Sequence, residues 1–122
     1  MSDKIFIEGL SLHAYHGVMA YEAKVGQTFT IDLELDIDLS EAAKSDKVVD
    51  TVSYDKVVDC VTAAFRARKF RLIEAAAGTA ADAVLSAFPR VNAVKVTIHK
   101  PHAPIAATFS DVGVTLVRKR KP

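Results

Sequence analysis

The sequence predicts an α+β domain, a four-stranded antiparallel sheet with two helices covering one face. Three observations carry that expectation. Apolar and polar residues alternate in two stretches before the middle of the chain and in two after it. The middle itself changes to helical spacing. The length, 122 residues, suits one domain spanning 1–122 and not two. Two successive helices also return the chain to the end where the second strand finished, so the third strand can run antiparallel beside it.

The first strand covers Lys4 to His13, with Ile5 and Ile7 and then Leu10 and Leu12 pointing one way. The change from odd to even positions near Gly9 predicts a bulge. From Gln27 to Leu39, Phe29, Ile31, Leu33, Leu35, Ile37 and Leu39 alternate with Thr30, Asp32, Glu34, Asp36 and Asp38. Period two over that length means a strand with one dry and one wet face. Tyr54, Val57, Val58, Val61, Ala64, Phe65 and Arg68 then follow helical spacing, with Ser53 at the N-cap position. A second helix is expected from Leu72 to Phe88, closed by Pro89 and carrying an alanine-rich stripe that permits close approach to a neighbour. Gly78 inside it costs about 1 kcal/mol relative to Ala. Alternation returns at Val94, Val96 and Ile98, and again at Val112, Val114 and Leu116.

Charge and composition exclude several classes of function. Sixteen Lys and Arg against fifteen Asp and Glu leave a net charge of +1, so nothing favours a nucleic-acid binder. The basic cluster Arg118 to Lys121 reads as a frayed, solvated tail (118–122). Cys60 is the only cysteine, which removes an intrachain disulfide and a four-thiolate zinc site; it falls on an apolar helix face, where a small buried hydrophobe is expected. No run approaches the ~20 apolar residues of a membrane span, and Met1-Ser2-Asp3-Lys4 lacks a signal-peptide core. A cytoplasmic protein is expected. On the wet face, Asp32, Glu34, Asp36 and Asp38 repel one another unless hydrated or paired. Plain solvent exposure and a water-filled space within an oligomer, with Lys95 as counter-charge, both remain open.

Single candidates for chemistry are weak. His13 and His16 form half a metal site with no third ligand at a recognisable spacing, so no metal is expected. There is no glycine-rich phosphate loop and no serine in a nucleophile elbow. Polar residues nevertheless cluster in loops: Glu22 between the first two strands, Thr51-Val52-Ser53-Tyr54 at the first helix, Leu72-Ile73-Glu74 at the second, and His99-Lys100-Pro101 after the third strand. Each has an ordinary explanation as a solvated loop acid, a first-turn aromatic, an acid complementing a helix dipole or a surface lysine.

Together these segments resemble dihydroneopterin aldolase of folate biosynthesis. The matching pieces are Glu22 with Gly26-Gln27-Thr28-Phe29, Asp50 to Tyr54, Leu72-Ile73-Glu74, and Lys100-Pro101 with Ala103-Pro104-Ile105. They occur in family order over most of the chain. Ala75-Ala76-Ala77-Gly78 departs from it, since the family more often has a larger aliphatic residue after the Glu. The resemblance implies the tunnelling fold, in which ββααββ subunits join edge to edge into a β-barrel ring, relieving exposed strand edges. Helices would lie outside and the acidic stripe would face the lumen. It implies a homo-octamer of two tetrameric rings, with pockets between adjacent subunits.

The implied substrate is 7,8-dihydroneopterin, cleaved to glycolaldehyde and 6-hydroxymethyl-7,8-dihydropterin. Aldol cleavage needs a base, an electron sink and an acid; many aldolases make the sink from a lysine Schiff base or a metal. Here the conjugated C=N of the pterin can take the electron pair as an enamine, so no cofactor is implied. Glu74 would anchor the ring, because a carboxylate matches its amino and N–H fork with two parallel hydrogen bonds. Lys100 would transfer the proton. A solvated ammonium titrates near about 10.4 and is a poor base at neutral pH; burial lowers that value and an acidic neighbour raises it, and the balance stays open. Tyr54, from the neighbouring subunit, would relay a proton to the enamine carbon. Glu22 would orient the side chain of the substrate and hold Lys100. Val52, Leu72 and Ile73 would complete the binding surface, Val52 and Ile73 through their backbone groups. Two alternatives remain. An epimerase acting on dihydroneopterin or its triphosphate would keep the fold, with Lys24, Arg68, Lys69 and Arg71 available to phosphates. A ring-forming pterin-binding scaffold would keep the assembly without the reaction.

Overall fold

A computed structural model describes residues 3–122; the reading of the Met1-Ser2 start lies outside the described residues. The elements in order are β1 (Lys4–Ala14), α1 (Ala20–Val25), β2 (Gln27–Asp36), α2 (Ser40–Ser45), a 3-10 turn (Val48–Asp50), α3 (Tyr54–Phe65), α4 (Ile73–Ala87), β3 (Ala93–His99) and β4 (Gly113–Lys119). The strands form one antiparallel sheet in the order β1-β2-β3-β4. The predicted ββααββ frame is present.

The alternation has the expected cause. Phe29, Ile31, Leu33 and Leu35 of β2 and Val94, Val96 and Ile98 of β3 are fully buried on one face. They meet Val57, Val61 and Phe65 of α3 and an alanine-rich face of α4, Ala76, Ala77, Ala80 and Ala81. Small residues let α4 lie close to the sheet. A methyl group at Gly78 would meet its nearest neighbours, on Arg118 and Leu116, at 3.5 and 3.8 Å, ordinary van der Waals separations, so close packing is not what calls for glycine there. In β1 the register passes from Ile7 opposite Leu33 to Leu10 opposite Ile31. Glu8 and Gly9 therefore face the single residue Asp32. Gly9 takes φ +73°, which suits glycine, and its N–H donates to Asp32 Oδ1 at 2.8 Å.

Several boundaries differ from expectation. The second strand ends at Asp36, not Leu39. Asp38 accepts the N–H of Ser40 at 2.9 Å and its hydroxyl at 2.7 Å, turning the chain into α2. The first long helix stops at Phe65 rather than Arg68. Helices α1 and α2, six residues each, lie in stretches that showed no period, because so few residues barely complete one amphipathic repeat. Ser53 occupies the N-cap position of α3, but its hydroxyl donates to Asp55 instead of capping a backbone N–H. Cys60 is half-buried at the margin of the core. The basic tail is a correction too. Arg118 and Lys119 are paired in β4. Arg120 donates to Val91 O (3.0 Å), Leu85 O (2.7 Å) and Phe88 O (3.0 Å), the Leu85 carbonyl being one that the end of α4 leaves open and the other two lying at and just after that end.

His16 fixes one end of the molecule. It is buried among the rings of Phe29, Phe65 and Phe70. The Phe70 N–H donates to Nδ1 at 3.1 Å, so Nε2 carries the hydrogen and donates to Phe65 O at 2.7 Å. Burial holds its pKa below the usual histidine value. Both nitrogens of His16 are engaged with backbone, so His16, one half of the pair weighed as a half metal site, is a neutral structural brace.

That brace sets the positions of the helices. The C-terminus of α3 and the segment before α4 are tied to the end of the sheet where Ala14 pairs with Gln27. Gly17 N–H donates to Phe70 O at 2.9 Å, adding to the same tie. At the opposite end, where Asp36 pairs with Ala93, Val52 and Ser53 line a cleft with Phe88 and Pro89. The start of α3 and the end of α4 therefore lie together there, and the two helices run antiparallel.

Candidate active site

Glu22 and Lys100, far apart in sequence, meet at the Ala14–Gln27 end. Lys100 Nζ lies 2.8 Å from Glu22 Oε2, with the Glu22 side chain 2% exposed and that of Lys100 13% exposed. The sequence builds this contact locally. Glu22 is the third residue of α1, and its Oε1 accepts the Met19 N–H at 3.1 Å, the acidic half of a capping box. Its Oε2 also accepts from Gln27 Nε2 at 3.0 Å. Burial opposes ionisation of Glu22, but Lys100, the Met19 N–H and Gln27 together hold its pKa below the usual glutamate value. A buried carboxylate so matched is ionised at neutral pH.

Glycine makes room for it. A Cβ at Gly17, where φ is +148°, would stand 2.3 Å from the Glu22 carboxyl carbon. Gly26, at φ +73°, would place a Cβ 2.6–2.8 Å from His13, Ala14 and Tyr15. Lys100 follows β3 directly, and its own N–H donates to Val112 O at 2.7 Å, fixing where the side chain departs from the sheet.

Leu72, Ile73 and Glu74 begin α4 just beyond Phe70, at this same end. Leu72 and Glu74 are exposed and Ile73 is buried; Glu74 stands in the first turn of α4. Val52 and Tyr54 lie at the other end, at the start of α3. The twelve residues of α3 separate them from Leu72–Glu74 by about 18 Å. Tyr54 is 68% exposed. The residues expected from the sequence therefore fall into two groups: Glu22, Lys100 and Leu72–Glu74 at one end, Val52 and Tyr54 at the other. Gln27 belongs beside Glu22. Sequence reading placed it in the family motif without a role, and its position after Gly26 at the first residue of β2 was the available signal. Its Oε1 is buried without a hydrogen-bond partner. Among the described residues no group of three or more His, Cys, Asp or Glu side chains is placed to hold a metal ion.

A four-stranded antiparallel sheet with two long helices on one face, bearing a buried carboxylate and ammonium pair at one end, defines a tunnelling-fold subunit equipped for acid and base chemistry. The family model for dihydroneopterin aldolase (FolB) matches residues 5–117, and the chain belongs to that family of enzymes. A dihydroneopterin aldolase of Streptococcus pyogenes serotype M18 is 42% identical over 118 residues, covering 97% of this chain and 99% of the relative. Among solved structures, FolB of Vibrio cholerae superposes with a TM-score of 0.90 at 32% identity, over 98% of this chain and 99% of that one. The Escherichia coli dihydroneopterin aldolase in complex with neopterin gives 0.86 at 34% identity, over 95% and 98%.

Proposed function

We propose that this chain cleaves 7,8-dihydroneopterin in a pocket assembled between two copies, one supplying Glu22, Lys100 and Leu72–Glu74 and the other Val52 and Tyr54. The observation that carries the reading is the split: the two groups of candidate residues stand at opposite ends of the same small domain, as a pocket shared between copies would need. Both edge strands, β1 and β4, are free to pair, and unpaired edges favour association of copies. Apolar groups are exposed near both partial sites, including Met19, Tyr21 and Leu72 at one end and Val48, Val49 and Tyr54 at the other. These features support the octamer of two tetrameric rings.

In the assembled pocket the Glu74 carboxylate accepts two hydrogen bonds from the pterin fork, with Leu72 and the backbone of Ile73 and Val52 completing the ring contacts. Lys100, in its neutral amine form and working directly or through a water, takes the proton of the hydroxyl on the carbon of the scissile bond that lies farther from the ring. That oxygen becomes the carbonyl of glycolaldehyde as the carbon–carbon bond breaks. The bonding pair moves onto the conjugated C=N of the pterin, giving the enamine. Tyr54 relays a proton to the enamine carbon, which yields 6-hydroxymethyl-7,8-dihydropterin. Glu22 keeps Lys100 in place and orients the substrate hydroxyls. The reading carries a cytoplasmic location with it, in keeping with the free thiol of Cys60.

The test is complementation between copies. Lys100→Ala and Tyr54→Phe proteins, each assembled alone, should make little hydroxymethyl-dihydropterin. Co-assembly after unfolding should restore roughly a quarter of wild-type sites if subunits mix at random in a closed ring. Product identification separates cleavage from epimerisation. No recovery in assemblies shown by mass spectrometry to be mixed would refute a shared pocket.

A further inference from the structure

The residue before Lys100 is not used by the chemistry above, yet it is bound on both sides. His99 Nε2 lies 2.6 Å from Asp32 Oδ2, and Nδ1 lies 2.5 Å from Asp111 Oδ2. Asp32 belongs to β2 and also accepts the N–H of Gly9 in the β1 bulge. Asp111 ends the loop that Lys100 begins, and its Oδ1 accepts the N–H of Val112 at 2.8 Å. Val112 O in turn accepts the Lys100 N–H. The ring thus ties both feet of the 100–112 loop to the centre of the sheet, while the Lys100 ammonium reaches Glu22.

The charge state follows from the partners. Two carboxylates can both accept from one imidazole only when both ring nitrogens carry hydrogen. Asp32 and then Asp111 stabilise that cation, outweighing burial, and hold the ring pKa above the usual histidine value. They are the charged groups facing the ring: β2 offers Asp32, the loop offers Asp111, β1 contributes only the Gly9 N–H to Asp32, and the residue opposite on β4 is Gly113.

We propose that His99, as an imidazolium clamped between Asp32 and Asp111, is a positioning residue that sets the place of Lys100, and that loss of its proton releases the loop and slows turnover. This rests on Lys100 being the proton-transfer group. A neutral ring keeps one donor, so one carboxylate faces a lone pair and the clamp opens. Misplacement of a reacting group by about 1 Å costs up to ~10²-fold in rate.

The experiment combines a titration with kinetics. In the wild-type protein the His99 ring, followed by NMR, should titrate above the ~6.5 of a free histidine, and kcat should show an alkaline fall at that same pH. Asp111→Asn removes one carboxylate. It should lower both the ring titration and the alkaline limb together, and reduce kcat about 3- to 30-fold with KM nearly unchanged. A ring titrating at or below the free value in wild type overturns the proposal, whatever the variant does. So does an Asp111→Asn protein whose melting temperature drops while its kcat and pH profile stay as in wild type. The two readings fail separately: a fully active Lys100→Ala protein removes the parent reading, whereas an inactive Lys100→Ala beside an unaltered Asp111→Asn profile removes only the clamp.

Discussion

The two ends of this domain are finished to different degrees. At the Ala14–Gln27 end, the polar groups of Glu22 and His16 meet partners inside the chain, and the glycine at 17 leaves room for the carboxylate. At the Asp36–Ala93 end, Tyr54, Val48 and Val49 stand exposed around a cleft whose apolar walls face outward. On the proposed reading the first end is preorganised, with its polar groups held before substrate arrives, which is what electrostatic catalysis requires. The second leaves Val48, Val49 and Tyr54 exposed, and on the same reading a neighbouring copy covers them. On the proposed reading, such a subunit separates folding, which belongs to the single chain, from the pocket, which a neighbouring copy completes.

The largest break in that contrast comes from Lys100→Ala. It removes the proposed proton-transfer group and leaves Glu22 with two of its three partners; turnover should fall by ~10²–10⁴-fold with modest change in binding, read by steady-state kinetics. Near-normal turnover would take Lys100 out of the reaction. Gly17→Ala attacks the same end without touching a reacting group. The added methyl overlaps the Glu22 carboxylate, so turnover should fall by up to ~10²-fold while circular dichroism still reports the fold; unchanged kinetics would show that Glu22 can relocate freely. Glu74→Gln sharpens the contrast most gently, turning an acceptor into a donor that faces a donor. Substrate affinity by calorimetry should weaken by about 1–3 kcal/mol, and an unaltered affinity would deny Glu74 its role as anchor.

Exposed ion pairs contribute little to this picture. Glu34 lies between Lys4 at 2.7 Å and Lys95 at 3.3 Å, so the counter-charge expected of Lys95 is present. Pairs this exposed add little stability, and their value is in relieving repulsion along the acidic stripe. Asp32 is different. The first residue of the stripe, it holds the Gly9 bulge and the His99 ring at once.

Much of this was legible beforehand because it depends on period and on short range. Alternation around Phe29–Leu35 fixed a strand and its dry face, the phase change fixed the bulge at Gly9, and helical spacing located α3 and α4. What was missed lacks a period or depends on a distant partner. Helix α1 is too short to announce itself, yet it aims Glu22. The two nitrogens of His16 were free on paper and are occupied by Phe65 and Phe70 in space. Arg120 looked like tail because its three carbonyl partners belong to the end of α4 and the turn after it.

By itself the sequence determined the layers and the family and nominated the site residues, since binary patterning and loop motifs are written along the chain. Only the tertiary structure decided which of those residues meet. It joined Glu22 to Lys100 and clamped His99 between Asp32 and Asp111. It also set Tyr54 at the far end of α3. The physical reason is that contact between residues dozens of positions apart is fixed by strand register and by the direction in which packed helices run, and neither quantity is local.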